Sequence, residues 1–227
     1  MMVKACGAVT EADVAAAAAA GADLVGLWHG IPAGHRELPA ARLARLAARA
    51  ASGRLEPVLV TFAADARQLR RMLAGTPIRW VQLHGYQPPG MIRALKAADG
   101  LTVVKVLHVR GEECAELPLI DSYERAGVDV FLLDAVTADG RIGSTGERLA
   151  AEAVTGVADR LSRPFFLAGG VCAAVAREYL TVVRHRLFLG IDVDTAARDP
   201  RGRLDAGEIA RVRRSWDACS AGAARDG

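Results

Sequence analysis

The chain has 227 residues, of which 52% are hydrophobic and only 5% are aromatic, and its formal net charge is +3. This composition allows a sizeable core in one large domain or two small ones, and it favours helices packed on a parallel sheet over an aromatic-rich β sandwich. No basic block exceeds three residues, so nucleic acid is not an expected partner.

The four cysteines, Cys6, Cys114, Cys172 and Cys219, lie far apart and form no CxxC pair. We find no signal peptide before Val3 and no apolar stretch near the ~20 residues of a membrane span. We therefore expect free thiols in a cytoplasmic protein without membrane association. Because no Cys/His cluster has ligand spacing, we expect no metal site.

Short apolar or β-branched runs alternate with amphipathic helical stretches. The predicted strands are Val3–Cys6, Leu24–Leu27, Pro57–Phe62, Trp80–Leu83, Thr102–Leu107, Val130–Leu133, Pro164–Leu167 and Leu187–Val193. Helices are predicted after Thr10 and Pro39 and over Ala64–Leu73, Gln87–Ala98, Glu112–Ala126, Ser144–Leu161, Ala173–Val183 and Asp205–Cys219. Thr10 and Asp13 match a capping box at the first helix.

Eight strand–helix units predict a parallel sheet with right-handed crossovers. In so short a chain they fit a single closed (β/α)₈ TIM barrel better than an open, doubly wound sheet. The open sheet would carry a GxGxxG fingerprint after its first strand, and Cys6-Gly7-Ala8-Val9-Thr10 has none. We expect the barrel to cover residues 1–219 and the tail 220–227 to be frayed.

Seven segments at the predicted strand ends form a specific pattern. They are Lys4-Ala5-Cys6-Gly7 with Thr10 and Asp13, Gly21-Ala22-Asp23-Leu24-Val25-Gly26, Val81-Gln82-Leu83-His84-Gly85, Leu132-Leu133-Asp134, Gly143-Ser144-Thr145-Gly146, Ala168-Gly169-Gly170-Val171 and Gly190-Ile191-Asp192-Val193. In this order they resemble the phosphoribosylanthranilate isomerase family over about residues 3–205. The resemblance implies an Amadori-type rearrangement of an N-aryl ribosylamine phosphate to an aminodeoxyketose, in tryptophan biosynthesis, without a cofactor.

The resemblance assigns the general base to Cys6 and the general acid to Asp134, both at carboxyl ends of predicted strands, where barrel active sites lie. The acid would protonate the furanose oxygen, and the base would take the carbon 2 proton of the Schiff base. A thiolate base requires a depressed pKa and a protonated aspartate a raised one. Outside this context Cys6 would be interpreted as an apolar core residue and Asp134 as a loop cap.

The substrate-binding candidates are Arg36, Gln82, His84, Gly169, Gly170, Asp192, Asp194 and Thr195. Arg36 only partly matches its family segment, so a solvated loop arginine is the competing interpretation, and His84 has a structural alternative. The backbone N–H groups of Gly169 and Gly170 are suited to cradle a phosphate.

The chain departs from the family pattern where the substrate is held. The family's SSG is replaced by Asp194-Thr195-Ala196, which brings a carboxylate to the phosphate unless Asp194 points away or pairs with Arg198 or Arg201. The family's lysine after GGTG is Glu147, and the asparagine expected after Phe62 is absent. These changes predict a poor tryptophan-pathway isomerase, or a specialised-pathway analogue as substrate.

Two other functions remain open at this stage. A barrel that has lost catalysis could bind a small sugar-like or aromatic ligand. A lyase or aldolase would need a Schiff-base lysine, for which Lys105 is the candidate. The expected partner is a small-molecule substrate, and the expected state is a monomer or a homodimer.

Overall fold

The computed structural model describes residues 1–97, 100–136 and 148–223, of which 221–223 are described in the backbone only. Its strands are β1 (Met2–Ala5), β2 (Leu24–Trp28), β3 (Glu56–Thr61), β4 (Trp80–Leu83), β5 (Thr102–Arg110), β6 (Glu113–Cys114), β7 (Val130–Ala135), β8 (Phe165–Leu167) and β9 (Phe188–Val193). All of them except β6 are parallel, and each pairs with the next in chain order. Pairing of β1 with β9 closes the ring, so the predicted (β/α)₈ barrel is confirmed and the open sheet is wrong.

Alternate residues of each strand point into the barrel, as the period of two in a strand requires. The part of the interior farther from the carboxyl ends of the strands is filled by a layer of aliphatic and aromatic side chains. They are Leu24, Val58, Val104, Val106, Val130, Leu132, Phe166 and Ala168. Cys6, Trp28, Ile31 and Val60 form a second apolar cluster nearer the carboxyl ends. The outward residues pack under the helices and make the larger core.

The helices are α1 (Glu11–Ala19), α2 (Ala40–Ala51), α3 (Ala66–Leu73), α4 (Pro89–Lys96), α5 (Ile120–Ala126), α6 (Ala151–Ala158), α7 (Leu180–Val183) and α8 (Ala206–Ala223). The predicted capping box of α1 is present: Thr10 Oγ1 accepts from Asp13 N, and Asp13 Oδ2 accepts from Thr10 N. Asp13 Oδ1 also accepts from Leu204 N at 2.9 Å, and this hydrogen bond links α1 to the segment that precedes α8. None of the helices in the described ranges is long and apolar enough to cross a membrane.

The predicted helix Glu112–Ala126 is wrong in its first half. Strand β5 continues to Arg110 and turns at Gly111, whose φ of 59° lies in the left-handed region, into the antiparallel strand β6. A 3₁₀ turn over Leu117–Leu119 then leads into α5. The glycine favours the hairpin because it adopts this conformation without a Cβ clash.

Other helix boundaries also differ from the prediction. Residues predicted as Ala173–Val183 form a 3₁₀ turn over Ala176–Tyr179 before the short α7. Of the predicted Ser144–Leu161, α6 covers Ala151–Ala158, and residues 137–147 lie outside the described ranges. Helix α8 continues four residues beyond the predicted end, to Ala223.

Candidate active site

The structure brings Cys6, Asp134 and Asp192 to the same mouth of the barrel. Cys6 directly follows β1, and the two aspartates are the penultimate residues of β7 and β9. Because these strands are parallel, their carboxyl ends open on one side. All three side chains are buried, so water is largely excluded from around them.

The Cys6 sulfur accepts two hydrogen bonds. Lys4 Nζ donates to Sγ at 3.2 Å and Trp28 Nε1 donates at 3.3 Å. Burial raises the pKa of the Cys6 thiol to about 12, and the Asp192 carboxylate adds to this effect, while Lys4 and Trp28 oppose it. The depressed pKa that a thiolate base requires is therefore not found in the unliganded protein.

Lys4 is held in a buried ion pair. Its Nζ lies 2.7 Å from Asp192 Oδ2, and the two residues face each other in the β1–β9 register. Burial alone would lower the pKa of Lys4, but Asp192 and the Cys6 sulfur raise it above its ordinary value. Asp192 thus keeps the ammonium beside Cys6 charged, and its other oxygen, Oδ1, has no partner among the described residues.

Asp134 has the environment of an acid that carries a proton near neutral pH. Burial raises the pKa of its carboxyl to about 7, Asp192 adds to the rise, and a hydrogen bond from Ala135 N opposes it. The raised pKa expected from burial is present. Asp134 Oδ2 lies 3.5 Å from His84 Nε2, so this histidine is its polar neighbour at the mouth.

Gln82 and His84 point inward from the end of β4. Gln82 Nε2 and His84 Nδ1 are 2.9 Å apart, and burial, followed by the nearby charge of His108, lowers the pKa of His84 well below its usual value. His84 is therefore neutral. Gln82 Oε1 and His84 Nε2 make no hydrogen bond within the described part of the chain, which leaves two buried polar atoms for a ligand.

A cleft of roughly 160 Å³ lies at the carboxyl ends of β2, β3 and β4. Its walls are aromatic and aliphatic, formed by Trp28, Ile31, Pro32, His35, Val60, Phe62 and His84. Trp28 connects this cleft to Cys6, and His84 connects it to Asp134. An engineered apolar cavity of about 150 Å³ binds benzene, so a single aromatic ring fits a space of this size.

Arg36 folds over the start of the first β–α loop. A Cβ at Gly7 would lie 2.6 Å from Arg36 Cδ and 2.7 Å from a terminal guanidinium nitrogen of Arg198, so both guanidinium side chains cover this glycine. Arg36 Nε is buried and has no hydrogen-bond partner among the described residues. The side chain is thus held at the mouth and is not a freely solvated loop arginine.

Backbone N–H groups of two loops are free at the mouth. Gly169 and Gly170 follow β8 with φ of 75° and 66°, and Thr195 begins a 3₁₀ turn after β9. The N–H groups of Gly169, Gly170, Thr195 and Ala196 find no acceptor among the described residues. Such groups on neighbouring loops are suited to hold an anion.

Asp194 is not an isolated charge. Its Oδ1 accepts from Arg198 Nε at 2.7 Å and is also bonded by Arg198 Nη2. Arg198 Nη2 further donates to the carbonyl oxygens of Cys6 and Gly7, at 2.8 and 3.1 Å. Of the outcomes considered from the sequence, pairing with Arg198 is the one found, and it neutralises the added carboxylate.

Lys105 does not reach the mouth. Its side chain is fully buried outside the barrel wall, where Nζ donates to the carbonyl oxygens of Gly85 and Val106 and lies 5.4 Å from the Tyr123 ring centroid. Burial lowers the pKa of Lys105 to about 8, although Glu116 opposes this. A carbonyl substrate at the mouth cannot reach it, so the structure gives no support to the Schiff-base alternative.

Sequence reasoning missed Trp28 as a donor to the thiol, and it missed the ion pair of Lys4 with Asp192. Trp28 could have been predicted from the alternation of inward and outward residues along β2, because it lies two residues beyond Gly26 on the same inward face. The partnership of Lys4 with Asp192 joins residues 188 apart and leaves no local sequence signal. The predicted Gly143–Gly146 segment and Glu147 lie outside the described residues.

Comparisons with known proteins give the family of the chain. A sequence profile described as N-(5'phosphoribosyl)anthranilate (PRA) isomerase matches residues 3–212. A protein of Afipia carboxidovorans named N-(5'-phosphoribosyl)anthranilate isomerase is 33% identical over 223 residues, which cover 97% of this chain and 91% of that protein. The relative of the same name from Azorhizobium caulinodans is 34% identical, with 88% of this chain and 84% of the relative covered.

Solved structures show the same fold. Phosphoribosyl anthranilate isomerase from Thermus thermophilus superposes with a TM-score of 0.78 at 21% identity, covering 96% of this chain and 99% of that one. A phosphoribosyl anthranilate isomerase in complex with reduced 1-(o-carboxyphenylamino)-1-deoxyribulose 5-phosphate gives a TM-score of 0.72 at 22% identity, with the same coverage. The sequence matches and the shared barrel together show that this chain belongs to the N-(5'-phosphoribosyl)anthranilate isomerase family.

Proposed function

We propose that the protein is a cofactor-free isomerase that converts an N-aryl ribosylamine phosphate to the corresponding aminodeoxyketose. The observation that carries this proposal is the placement of Cys6 and Asp134 at one mouth, with two donors directed at the Cys6 sulfur and a raised pKa at the Asp134 carboxyl. Carbon 1 is reduced while carbon 2 is oxidised within the same substrate, so the reaction needs no external redox partner. A protein with this role acts in the cytoplasm, as a monomer or a homodimer.

Asp134 acts as the general acid in this proposal. A carboxyl whose pKa is about 7 is half protonated at neutral pH, which is the range where a general acid works well. It gives its proton to the furanose oxygen, the bond from that oxygen to carbon 1 breaks, and the ring opens to a Schiff base. His84, neutral and 3.5 Å away, keeps the carboxyl at the mouth.

Cys6 acts as the general base once the ring is open. The protonated Schiff base places a positive charge near the sulfur, and a nearby positive charge favours the ionised form of an acid. The donors Lys4 and Trp28 are already directed at Sγ, so a thiolate formed there is solvated by the protein. The thiolate takes the proton from carbon 2, which leaves an enol-amine. Carbon 1 then gains a proton and the carbon 2 hydroxyl loses one, which gives the ketose.

The mouth offers a separate place for each end of the substrate. The apolar cleft between Trp28 and His84 suits the aryl group. The N–H groups of Gly169, Gly170 and Thr195, which have no acceptor among the described residues, suit the phosphate, and Arg36 over the first β–α loop adds a cation to the mouth. Gln82 and Asp192 carry the unpaired oxygen atoms that suit sugar hydroxyls.

The Asp194–Arg198 pair changes the expectation of a poor isomerase. That expectation rested on Glu147, which lies outside the described residues, and on an Asp194 that opposes a phosphate dianion, whereas the pair brings no net negative charge to the mouth. Phosphoribosylanthranilate, the substrate in the names of the relatives, is therefore the first substrate to test. A specialised-pathway analogue with another aryl group is the second candidate, because the cleft is built from this chain's own Trp28, His35 and Phe62.

The test compares catalysis with binding. We expect Cys6→Ser and Asp134→Asn each to lower the single-turnover rate with phosphoribosylanthranilate by roughly 10²–10⁴-fold, the usual contribution of an acid–base group. Binding of the reduced product analogue should stay within a few-fold of wild type, because neither group is the main anchor. Cys219→Ser on α8 and Asp121→Asn on α5 serve as matched controls away from the mouth.

A barrel that only binds a ligand predicts the opposite pattern. It would bind the reduced analogue without turnover in the wild type, and both substitutions would leave the rate at background. A rate within about threefold of wild type in either variant would remove that residue from the proposed chemistry. Growth of a tryptophan auxotroph lacking the isomerase then distinguishes phosphoribosylanthranilate from a specialised analogue.

A further inference from the structure

The indole of Trp28 is directed at the sulfur of Cys6. Trp28 is the last residue of β2 and points into the barrel, and its Nε1 donates to Sγ at 3.3 Å. Both side chains are more than nine-tenths buried. Within the described residues the Cys6 sulfur is the only acceptor of this N–H, so the indole does not share its donor with another group.

The second donor to the same sulfur is shared. Lys4 Nζ donates to Sγ at 3.2 Å but lies closer, at 2.7 Å, to Asp192 Oδ2. Much of the ammonium's electrostatic effect is therefore directed at the carboxylate. An indole N–H is a donor only, so it stabilises the sulfur best when the sulfur is an anion.

The packing around Trp28 fixes this orientation. The ring meets His35 edge to face with centroids 5.3 Å apart, and it packs with Ile31 and Val60. Two residues earlier on the same face, a Cβ at Gly26 would lie 2.7 Å from Sγ. The glycine lets the sulfur approach β2 closely enough for the indole to reach it.

We propose that Trp28 is a positioning residue for the general base: its N–H holds Cys6 Sγ in place and favours the thiolate, while the same ring forms one wall of the aryl cleft. This inference rests on the proposed function, because it gives the thiolate a role in turnover. The hydrogen bond itself can be tested without a substrate.

The first experiment observes the indole signals by ¹H–¹⁵N NMR. The chain has three tryptophans, so their three indole N–H signals can be assigned with single Trp→Phe variants. Cys6→Ala should shift the Trp28 signal and speed its exchange with deuterium oxide, while the other two stay in place. A Trp28 signal unchanged by Cys6→Ala would overturn the proposal.

The second experiment measures the reactivity of Cys6. Trp28→Phe removes the N–H and keeps a ring, and Trp216→Phe is the matched control, because the buried Trp216 indole donates to Cys172 O instead. We expect iodoacetamide alkylation of Cys6 at pH 8, followed by peptide mass spectrometry, to slow about threefold in Trp28→Phe. The expected slowing combines two effects. The thiolate fraction of Cys6 falls roughly tenfold, and the greater nucleophilicity of a thiolate with a higher pKa offsets part of that loss. An equal or faster rate would contradict the proposal.

Turnover provides the third measurement. Trp28→Phe should lower kcat about tenfold and leave KM within about twofold, because the phenyl ring still lines the cleft. Trp216→Phe should change neither constant. A raised KM with unchanged kcat would make Trp28 a substrate-binding wall only. If wild type has no activity on phosphoribosylanthranilate or on analogues with other aryl groups, the proposed function fails, while the NMR and alkylation results still decide the role of Trp28.

Discussion

Substitution of Asp134 by asparagine should make the protein more stable at neutral pH while it removes activity. The carboxyl has an ordinary pKa of 3.8 and a pKa of about 7 in the folded protein, so folding favours its protonated form. The contribution of Asp134 to stability is therefore fully present below about pH 4 and is lost as the pH rises to about 7. Asparagine cannot ionise, so its contribution to stability does not change over this pH range.

The size of the effect follows from the two pKa values. A difference of that size corresponds to a free energy on the order of 4 kcal/mol, because each pH unit is worth about 1.36 kcal/mol. Asp134 is only 7% exposed, so solvent screening reduces this little. More than half of it, about 2.5 kcal/mol, falls between pH 5 and pH 8.

Urea unfolding of wild type and Asp134→Asn at pH 5, 6, 7 and 8 measures this difference. The free energy of unfolding of Asp134→Asn minus that of wild type should rise from pH 5 to about pH 7 and then stay constant. Asp121→Asn, at an exposed position on α5, should show a constant difference over the same range. A difference for Asp134→Asn that does not change with pH would refute the assignment of Asp134 as a buried, protonated acid.

Three further substitutions test other contacts. Gly26→Ala places a methyl group 2.7 Å from the Cys6 sulfur and should lower kcat more than tenfold, with an unchanged circular dichroism spectrum. Arg198→Ala removes the guanidinium beside the Asp194 carboxylate and should raise KM for the phosphorylated substrate about tenfold, and adding Asp194→Asn should recover most of the loss. Asp13→Ala takes the carboxylate acceptor from the buried N–H of Leu204 and removes the Asp13 half of the α1 capping box, so urea unfolding should show a loss of about 3 kcal/mol.

Much of the fold could be predicted because each strand is a short apolar run with clear ends. The predicted Trp80–Leu83 matches β4 at both ends, and the other predicted strands overlap the observed ones. Since the strands are parallel, finding their ends was enough to place Cys6 and Asp134 at one mouth. The hairpin at Gly111 was missed because the residues after it have ordinary helix-forming composition.

The electrostatics of the site could not be predicted, because they depend on contacts between distant parts of the chain. The sequence allowed Asp194 to pair with Arg198 or Arg201, and only the fold selects Arg198, which also bonds to the Cys6 carbonyl. A thiolate base requires a depressed pKa, but the ammonium of Lys4 lies closer to Asp192 than to the Cys6 sulfur. Burial then has the larger effect and raises the pKa of Cys6.

The thiol's surroundings are assembled from the two ends of the chain. Lys4 meets Asp192, Arg198 reaches the carbonyls of Cys6 and Gly7, and Asp13 holds Leu204. Strand β1 brings Cys6 into a growing polypeptide early, but Asp192 and Arg198 are made only with and after β9. A chain truncated before β9 would thus lack these partners and remain inactive. Activity would report that the first and last strands of the barrel have paired, and the long sequence separation of these contacts predicts that the site forms late in folding.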